Sequence, residues 1–365
     1  YACGRWLAEN PIPSSERGWG IANLVNEETY RQRLAICRDA AAAGAPKGSK
    51  EQKVGDFWAA GMDSATIERL SATPLMPYMA RISAIHTRRE LLDLVGKMQG
   101  QGFRPLYSPV VIQDERNSER YLVHLYQGGI RMPDRDYYFG TDANTRRVRT
   151  EYGQHVNAMF KLLGEDSATA ATSTAAVLKL ETALAARSRT LEQRRDPWAN
   201  YHKTSLAELA KLTPTIDWKA QFVGMGIPVQ DTVIVGQPEF FRQVDSCLSV
   251  ARLSEWQSYM RRALVTSLAR NLAKPIDQEN FHFYGTVLSG TKAQRPRWKR
   301  MLDATEDAMG ELVGQVWVEK YCSPATKARC EKLTADIIGV YRERIQKLPW
   351  MSEATKARAL AKLDK

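Results

Sequence analysis

Residues Asn280–Gln315 read NFHFYGTVLSGTKAQRPRWKRMLDATEDAMGELVGQ, and the fold class depends on how this stretch is interpreted. Its segment Gly285–Lys292 comes close to a phosphate-binding loop. That motif needs Lys and then Ser or Thr after its second Gly, and here the order is reversed. The preceding Asn280–Tyr284 has a helical pattern, whereas a phosphate-binding loop follows a buried strand. We therefore reject a nucleotide-binding fold for this stretch.

A basic run with one aromatic residue, RPRWKR at Arg295–Arg300, follows the loop. Proteins that bind single-stranded nucleic acid combine basic grooves with stacked aromatic side chains. A single Trp is a small platform, however, and Pro296 suits the start of a helix. The run therefore favours a structural role at a helix N-terminus, with Trp298 in the core.

Composition indicates a folded protein with one large domain or two smaller ones. The chain has 365 residues, of which 44% are hydrophobic and 25% charged. Its 52 Lys and Arg exceed its 41 Asp and Glu, which gives a formal charge of +11. The basic residues are scattered in pairs such as Arg146-Arg147, a pattern typical of solvated helix faces rather than of a nucleic-acid site. No run of 18 apolar residues occurs, so no membrane span is predicted.

The Cys and His residues form no metal-binding pattern. The five His are isolated at positions 86, 124, 155, 202 and 282, and no C-x-x-C motif occurs. The five Cys are an odd number, so at least one lacks a partner within the chain. Lone histidines also give no basis for assigning a catalytic triad. We expect no catalytic residue, metal site or bound cofactor in this chain by itself.

Helical periodicity dominates the chain. One helix is predicted from Ser323-Pro324, a Ser N-cap with Pro at the first helical position. An apolar stripe follows at helical spacing, made of Leu333, Ile337, Ile338, Tyr341, Ile345 and Leu348. Another helix is predicted from Ser352, and the Ala-rich segment Thr169–Arg189 predicts a third.

Polar motifs near helix starts are interpreted as caps. Two pairs fit the capping-box pattern before apolar-periodic runs, namely Ser205 with Glu208 and Ser254 with Gln257. The carboxylates of Asp134 and Asp136 are two residues apart, which could suggest an acid/base pair. Because residues two apart point in different directions on a helix, we interpret either of them as a cap instead.

One region favours β-structure. Leu106–Ile112 and Tyr121–Leu125 are rich in β-branched and aromatic residues and predict a β-hairpin at about residues 105–126. Pro109 marks the first strand as an edge strand. A second short extended piece is predicted at Thr232–Val235. The predicted fold class is therefore mainly α, with one small β-hairpin.

Short segments from end to end form an ordered set: Tyr1–Leu7, Trp19-Gly20, Asp56-Phe57-Trp58, Met132–Tyr138, Phe283-Tyr284-Gly285, Arg297-Trp298, Met309-Gly310 and Trp350-Met351-Ser352. Each segment alone is a weak signal. Their order matches that of a known family, and the chain resembles the N-terminal half of the neprilysin family of zinc metallopeptidases. The resemblance is that of a bacterial-type member whose catalytic half is absent.

The resemblance implies a helical domain that closes over a thermolysin-like catalytic domain and encloses a chamber that admits only peptides. Residues 1–25 would be an entry segment near the catalytic half, 26–350 the helical lid, and 351–365 the start of the connection to the missing catalytic domain. The zinc site of the family, His-Glu-x-x-His with a downstream Glu, has no counterpart here. Zinc would thus be a cofactor of the parent enzyme and not of this chain.

The resemblance also bears on the cysteines. Cys3 matches a family cysteine whose partner lies near the end of the catalytic half, so Cys3 would be unpaired here. Mammalian relatives have a bridged cysteine pair where this chain has Gly61 and Met301, and the joint loss implies that these positions are in contact. Cys322 and Cys330 are either bridged or free buried thiols, since a helix between them would strain a bridge.

One substrate contact is also implied by the resemblance. Some relatives have an Arg directly before an aromatic-Gly pair, and its guanidinium binds the C-terminal carboxylate of short peptides. Here Gly18 precedes Trp19-Gly20, and Arg17 lies one position early. Arg17 is therefore the candidate substrate-binding residue, with an exposed loop arginine as the alternative.

We accordingly expect the lid domain of a zinc-dependent metalloendopeptidase that hydrolyses peptides. Its partners would be its own C-terminal catalytic domain and peptide substrates, and the chain alone would be inactive. The family implies a periplasmic or secreted protein, with a membrane anchor before Tyr1 as a further option. The alternative is a stand-alone basic helical protein that binds nucleic acid or peptides without catalysis.

Overall fold

A computed structural model describes residues 3–364 of the chain. By packing, the chain divides into two compact units, each built from two separate stretches. Unit 1 comprises residues 3–18 and Asp63–Gln294, and unit 2 comprises Trp19–Met62 and residues 295–364. The sequence boundaries at 25/26 and 350/351 divide the chain by role rather than by packing, and they stay a prediction.

The described residues are mostly helical. In chain order the α-helices are α1 (Gly4–Glu9), α2 (Ile21–Ala42), α3 (Lys50–Met62), α4 (Ser64–Leu70), α5 (Met76–Ser83), α6 (Arg88–Gly100), α7 (Asp136–Phe139), α8 (Ala143–Leu162), α9 (Ser167–Ala185), α10 (Leu206–Leu212), α11 (Trp218–Met225), α12 (Pro238–Val250), α13 (Leu253–Leu268), α14 (Lys274–Phe281), α15 (Arg297–Tyr321), α16 (Pro324–Lys347) and α17 (Glu353–Leu363). The strands are β1 (Ser108–Asp114), β2 (Asn117–Tyr126), β3 (Lys203–Ser205) and β4 (Thr232–Val235). The predicted mainly α fold class is confirmed.

The four strands form one small mixed sheet in unit 1, in the order β1-β2-β4-β3. β1 and β2 are the predicted hairpin and pair antiparallel, with Val111 opposite Val123. β4 is the predicted extended piece; it runs parallel to β2 and antiparallel to β3. Pro109 has no backbone N–H to donate, and it does lie in an edge strand, as predicted.

Most of the predicted helix starts are confirmed. The Ser323 side chain accepts a hydrogen bond from the backbone N–H of Thr326, with Pro at the first helical position. The capping box of Ser205 and Glu208 is present at α10. The box predicted at Ser254 and Gln257 is wrong. The observed box lies two residues earlier, where the Glu255 carboxylate accepts from the backbone N–H of Arg252, the N-cap of α13.

Residues Asn280–Tyr284 are helical, as predicted. α14 ends at Phe281 and continues as one turn of π-helix over His282–Val287. A Cβ at Gly285 would lie 2.3 Å from the Phe281 ring, which explains the glycine at this position without any phosphate. α14 and the π-helix, rather than a strand, lead directly into Gly285–Lys292, in keeping with the rejection of a nucleotide site.

The core of unit 1 contains a buried ion pair. The Glu181 carboxylate on α9 is 2.6 Å from Nη2 of Arg262 on α13, and both side chains are excluded from solvent. The hydroxyls of Tyr138 and Tyr152 also donate to this carboxylate, at 2.5 Å and 2.8 Å. Burial, together with the Glu181 charge, raises the pKa of both tyrosines well above the usual value, so both keep the proton that they donate.

Unit 2 has its own smaller core, formed where α2, α3 and α15 pack together. Its buried side chains are Cys37, Val54, Trp58, Met301, Leu302 and Val313. Trp298, one residue into α15, is half-buried and packs against this core, so the predicted structural role of the basic run is confirmed. Gly55 lets α3 approach α2 closely, since a Cβ there would lie 2.5 Å from the Ala40 carbonyl oxygen.

Gly61 on α3 and Met301 on α15 are in contact, as the resemblance implied. A Cβ built on Gly61 would lie 3.8 Å from the Cβ of Met301, which is the mean Cβ separation in disulfides.

We expect a Gly61→Cys/Met301→Cys variant to form a disulfide bridge in air and to gain about 2–4 kcal/mol of stability. Thiol titration and mass spectrometry without reductant measure the bridge. The two single variants are controls, and a double variant that keeps two additional free thiols would contradict the contact.

Asp114 ties the end of β1 to the start of β3. Its buried carboxylate accepts from Nζ of Lys203 at 2.8 Å and from the Tyr201 hydroxyl at 2.7 Å, and these bonds lower its pKa. A lowered pKa contributes stability above the unfolded value, about 4, and this contribution is lost as the pH falls towards the folded value. We expect Asp114→Asn to lose about 2 kcal/mol at pH 7.

Urea unfolding at several pH values tests the role of Asp114. The difference in the free energy of unfolding between parent and variant is expected to be constant above about pH 5 and to shrink below about pH 4. Asp307→Asn, at an exposed carboxylate on α15, is the matched control and is expected to change little. A gap of the same size at pH 3 and pH 7 would contradict the assignment.

Candidate functional surface

The most unusual surface of the described chain is one face of α16. The helix runs for 24 residues, and none of them is buried. Its predicted apolar stripe is largely open to solvent, with Leu333 61%, Ile337 49%, Ile338 36% and Tyr341 57% exposed. Val340, on the same side, is 56% exposed. We call these five side chains the α16 stripe.

A helix gains most of its stability in a protein by packing an apolar face, and isolated helices are marginal in water. α17 packs along α16, and an ion pair of Arg342 with Asp364 joins the two. The packing covers only part of the face, since Ile345 and Leu348 are half-buried while the α16 stripe is open. Complete burial of five such side chains would contribute roughly 5 kcal/mol or more. An open stripe of this size marks an interaction surface.

Exposed apolar side chains are concentrated in unit 2 as a whole. Nearly half of the large exposed hydrophobic side chains of residues 3–364 lie there, although unit 2 holds less than a third of the chain. Besides the α16 stripe they include Trp350, 74% exposed, Ile21, 71% exposed, and Val318, 51% exposed. The surplus is far above the scattered apolar residues of an ordinary surface.

Arg17 lies in the loop before Trp19, in residues of unit 1. The side chain is exposed and makes no hydrogen bond or ion pair with the described residues. It is thus available to a carboxylate, and its role as a substrate-binding residue stays a prediction. Asp134, by contrast, accepts from the backbone N–H of Asp136, the first residue of α7, but the N-cap of this helix is Arg135 and no side chain caps it.

All five cysteines are free thiols in the structure. Cys37 and Cys247 are buried, and burial raises the pKa of the Cys37 thiol to about 11. Cys3 is exposed. Cys322 ends α15 and is partly exposed, whereas Cys330 lies on α16 and is exposed. A bridge between these last two therefore stays a prediction.

The histidines have separate structural partners. Nδ1 of His155 is 2.9 Å from the Glu279 carboxylate, and its ring stacks on Phe283. Nδ1 of His202 is 3.0 Å from the Val235 carbonyl oxygen. His124 is buried in β2, and burial lowers its pKa. Over residues 3–364, no group of three or more His, Cys, Asp or Glu side chains is placed to hold a metal ion.

Comparison with known proteins shows the family to which this chain belongs. The model described as Peptidase family M13, for the N-terminal domain, matches residues 1–365. The chain belongs to peptidase family M13. The resemblance to neprilysin-type enzymes is thereby confirmed.

Curated relatives span all of the chain but are about twice as long. Endothelin-converting enzyme-like 1 of Rattus norvegicus is 27% identical over 381 residues, which cover 100% of this chain and 48% of that protein. Neprilysin-3 of Drosophila melanogaster is 25% identical over 386 residues, which cover 100% and 49%. The M13 chain thus spans about half the length of these relatives.

Solved structures agree. The Mycobacterium tuberculosis zinc metalloprotease Zmp1, in complex with an inhibitor, superposes with a TM-score of 0.90 at 31% identity, over 99% of this chain and 55% of that one. PepO from Lactobacillus rhamnosis has a TM-score of 0.84 at 20% identity, over 99% and 57%, and shows the same fold. Both matches lie in the N-terminal halves of those proteins.

Zinc, which is named in the description of the mycobacterial metalloprotease, does not fit the side chains of residues 3–364 of this M13 chain. A catalytic zinc needs three protein ligands that converge. Here Nδ1 of His155 contacts Glu279, Nδ1 of His202 contacts the Val235 carbonyl oxygen, and Glu115 lies 3.7 Å from Nδ1 of His124. Among the described residues, none of these sites brings three ligands together. No helix among residues 3–364 is both long and apolar enough to cross a membrane.

The sequence predicted four of the five side chains of the α16 stripe, all but Val340, and missed two arginines on it. Arg329 lies one turn before Leu333, and Arg344 lies one turn after Val340. Both side chains are exposed, and neither has an ion-pair or hydrogen-bond partner among the described residues. The same helical spacing that identified the stripe would have placed both on it.

We expect substitutions in the α16 stripe to leave this chain stable. Ile337→Ser with Tyr341→Ser removes side chains that are open to water, so the free energy of unfolding is expected to change by less than about 0.5 kcal/mol for each substitution. Binding of a dye that reports exposed apolar surface is expected to fall.

Val313→Ser, in the buried core of unit 2, is the matched control and is expected to lose about 2 kcal/mol or more. Urea unfolding measures both. A serine pair as destabilising as Val313→Ser would mean that the stripe is buried in solution.

Proposed function

We propose that this chain is the helical lid of a zinc metalloendopeptidase that hydrolyses peptides. The catalytic half of that enzyme would hold the zinc and carry out the chemistry. The lid would wall the chamber, exclude folded proteins and position peptide substrates. The observation that carries the proposal is the open α16 stripe in a chain that spans half the length of its M13 relatives.

The α16 stripe supports a covering domain because its burial would stabilise a helix that has little other stabilisation. A 24-residue helix with no buried residue depends on caps and surface ion pairs, each of which contributes less than about 1 kcal/mol. Burial of the stripe would add several times as much. A second half of the protein packed on this face would account both for the apolar composition and for the length of the helix.

The substrate role rests on less. Arg17 would pair with the C-terminal carboxylate of a peptide, and its exposed, unpartnered guanidinium suits bidentate pairing. The family further implies a protein that works in the periplasm or outside the cell. Fractionation of cells that express the complete gene would test that placement.

Activity assays with two proteins test the proposal. One is this 365-residue chain, and the other is the full-length protein with its C-terminal half. The full-length protein is expected to bind one zinc ion and to cleave fluorogenic peptides, and this chain is expected to do neither. Zinc content and initial rates are the measurements.

The control is the full-length protein after treatment with a chelator, which is expected to lose activity and regain it with zinc. Turnover by the purified 365-residue chain, stable through further purification steps, would contradict the proposal. So would tight binding of single-stranded nucleic acid that weakens steeply with salt, since this would favour the stand-alone binding protein.

A further inference from the structure

The charges of α16 follow a pattern that the apolar stripe does not explain. Nearly every charged side chain of the helix has an oppositely charged partner. These pairs are Lys327 with Glu331, Lys332 with Asp336, Glu343 with Lys347, and Arg342 with Asp364 of α17. The two exceptions are Arg329 and Arg344, and these are the two that lie on the α16 stripe.

The positions of these two arginines follow from helix geometry. Arg329, Leu333, Ile337 and Tyr341 succeed one another at intervals of four residues, along one face. Arg344 follows Val340 by the same interval and Ile337 by seven. Fifteen residues separate the arginines, or about 22 Å along the axis at 1.5 Å per residue. They therefore lie near the two ends of the stripe.

A partner that covers the stripe must neutralise the guanidinium groups of both arginines. Removing a charged side chain from water without a counter-charge costs several kcal/mol. Arginine is nevertheless enriched at interfaces, because it pairs with carboxylates through two parallel hydrogen bonds. The exposed, unpaired state of both side chains is unfavourable to docking unless the opposite face supplies carboxylates.

We propose that the occupant of the α16 stripe is an apolar surface of the C-terminal half that carries two carboxylates about 22 Å apart. One pairs with Arg329 and the other with Arg344. This inference rests on the proposed function and names the chemistry of the partner. The two ion pairs fix the position of the partner along the helix axis, which an apolar contact alone leaves free.

A second copy of the chain fits this face less well. Two such helices packed antiparallel along their stripes would bring Arg329 of one copy towards Arg344 of the other. Like charges at an interface are unfavourable. The carboxylates of α16 could not neutralise these arginines without losing the lysine partners that they already have on the same helix.

The test uses the full-length protein with Arg329→Glu, Arg344→Glu and both together. Lys332→Glu, at a lysine that is 75% exposed and outside the α16 stripe, is the matched control. Each arginine reversal is expected to lower the thermal midpoint by several degrees and the double reversal by more, because carboxylates would then face carboxylates. The loss is expected to shrink at high salt. In the 365-residue chain alone, the same variants are expected to behave like the parent.

Two further results keep this inference separate from the proposed function. Ile337→Ser with Tyr341→Ser in the full-length protein is expected to lower the thermal midpoint, whether or not Arg329 and Arg344 pair with carboxylates. If the serine pair lowers the thermal midpoint but the arginine reversals change it no more than Lys332→Glu does, the two partner carboxylates are disproved. The proposal that the C-terminal half covers the α16 stripe is then retained. If neither has an effect, the covering half is disproved as well. A dimer of the 365-residue chain that the serine pair abolishes would show a second copy as the occupant.

Discussion

The fold of unit 1 depends on the buried carboxylate of Glu181. A charge without access to water must be neutralised by its neighbours, and here Arg262, Tyr138 and Tyr152 do so together. These four side chains come from α9, α13, α7 and α8, so the network fixes the positions of four helices at once. Loss of the Arg262 side chain would leave the buried Glu181 charge without its counter-charge, at a cost of about 3–5 kcal/mol. Apolar packing tolerates small shifts of a helix, whereas this network does not.

Local features of the fold could be predicted because their causes lie within a few residues. Ser323 and Pro324 start α16 through a side-chain cap and a fixed φ, and both are visible in the sequence. The hairpin follows from two β-branched runs and an edge proline. The failed prediction at Ser254 shows the limit of such motifs. Glu255 offered the stronger cap in a box that lies two residues earlier, because its carboxylate is also held by Lys179.

Long-range pairings could not be predicted in the same way. Nothing in the sequence singles out Glu181 and Arg262 from the other charged residues, because their partnership exists only after the helices pack. The contact of Gly61 with Met301 was accessible only through family resemblance, in which a bridged pair had been lost jointly. The α16 stripe lies between these cases. Its periodicity was visible, but periodicity indicates an apolar face and does not indicate whether the same chain covers that face.

The distribution of polar contacts separates two kinds of side chain in this chain. His155 and His202 are held by acceptors within their own unit, the Glu279 carboxylate and the Val235 carbonyl oxygen. Arg329 and Arg344 have no hydrogen-bond or ion-pair partner in the part of the chain that the structure describes. Groups that are already satisfied stabilise the fold, and groups left unsatisfied beside an apolar stripe gain the most free energy from a new partner. Within unit 2, the α16 stripe and its two arginines are therefore the surface best suited to a further partner.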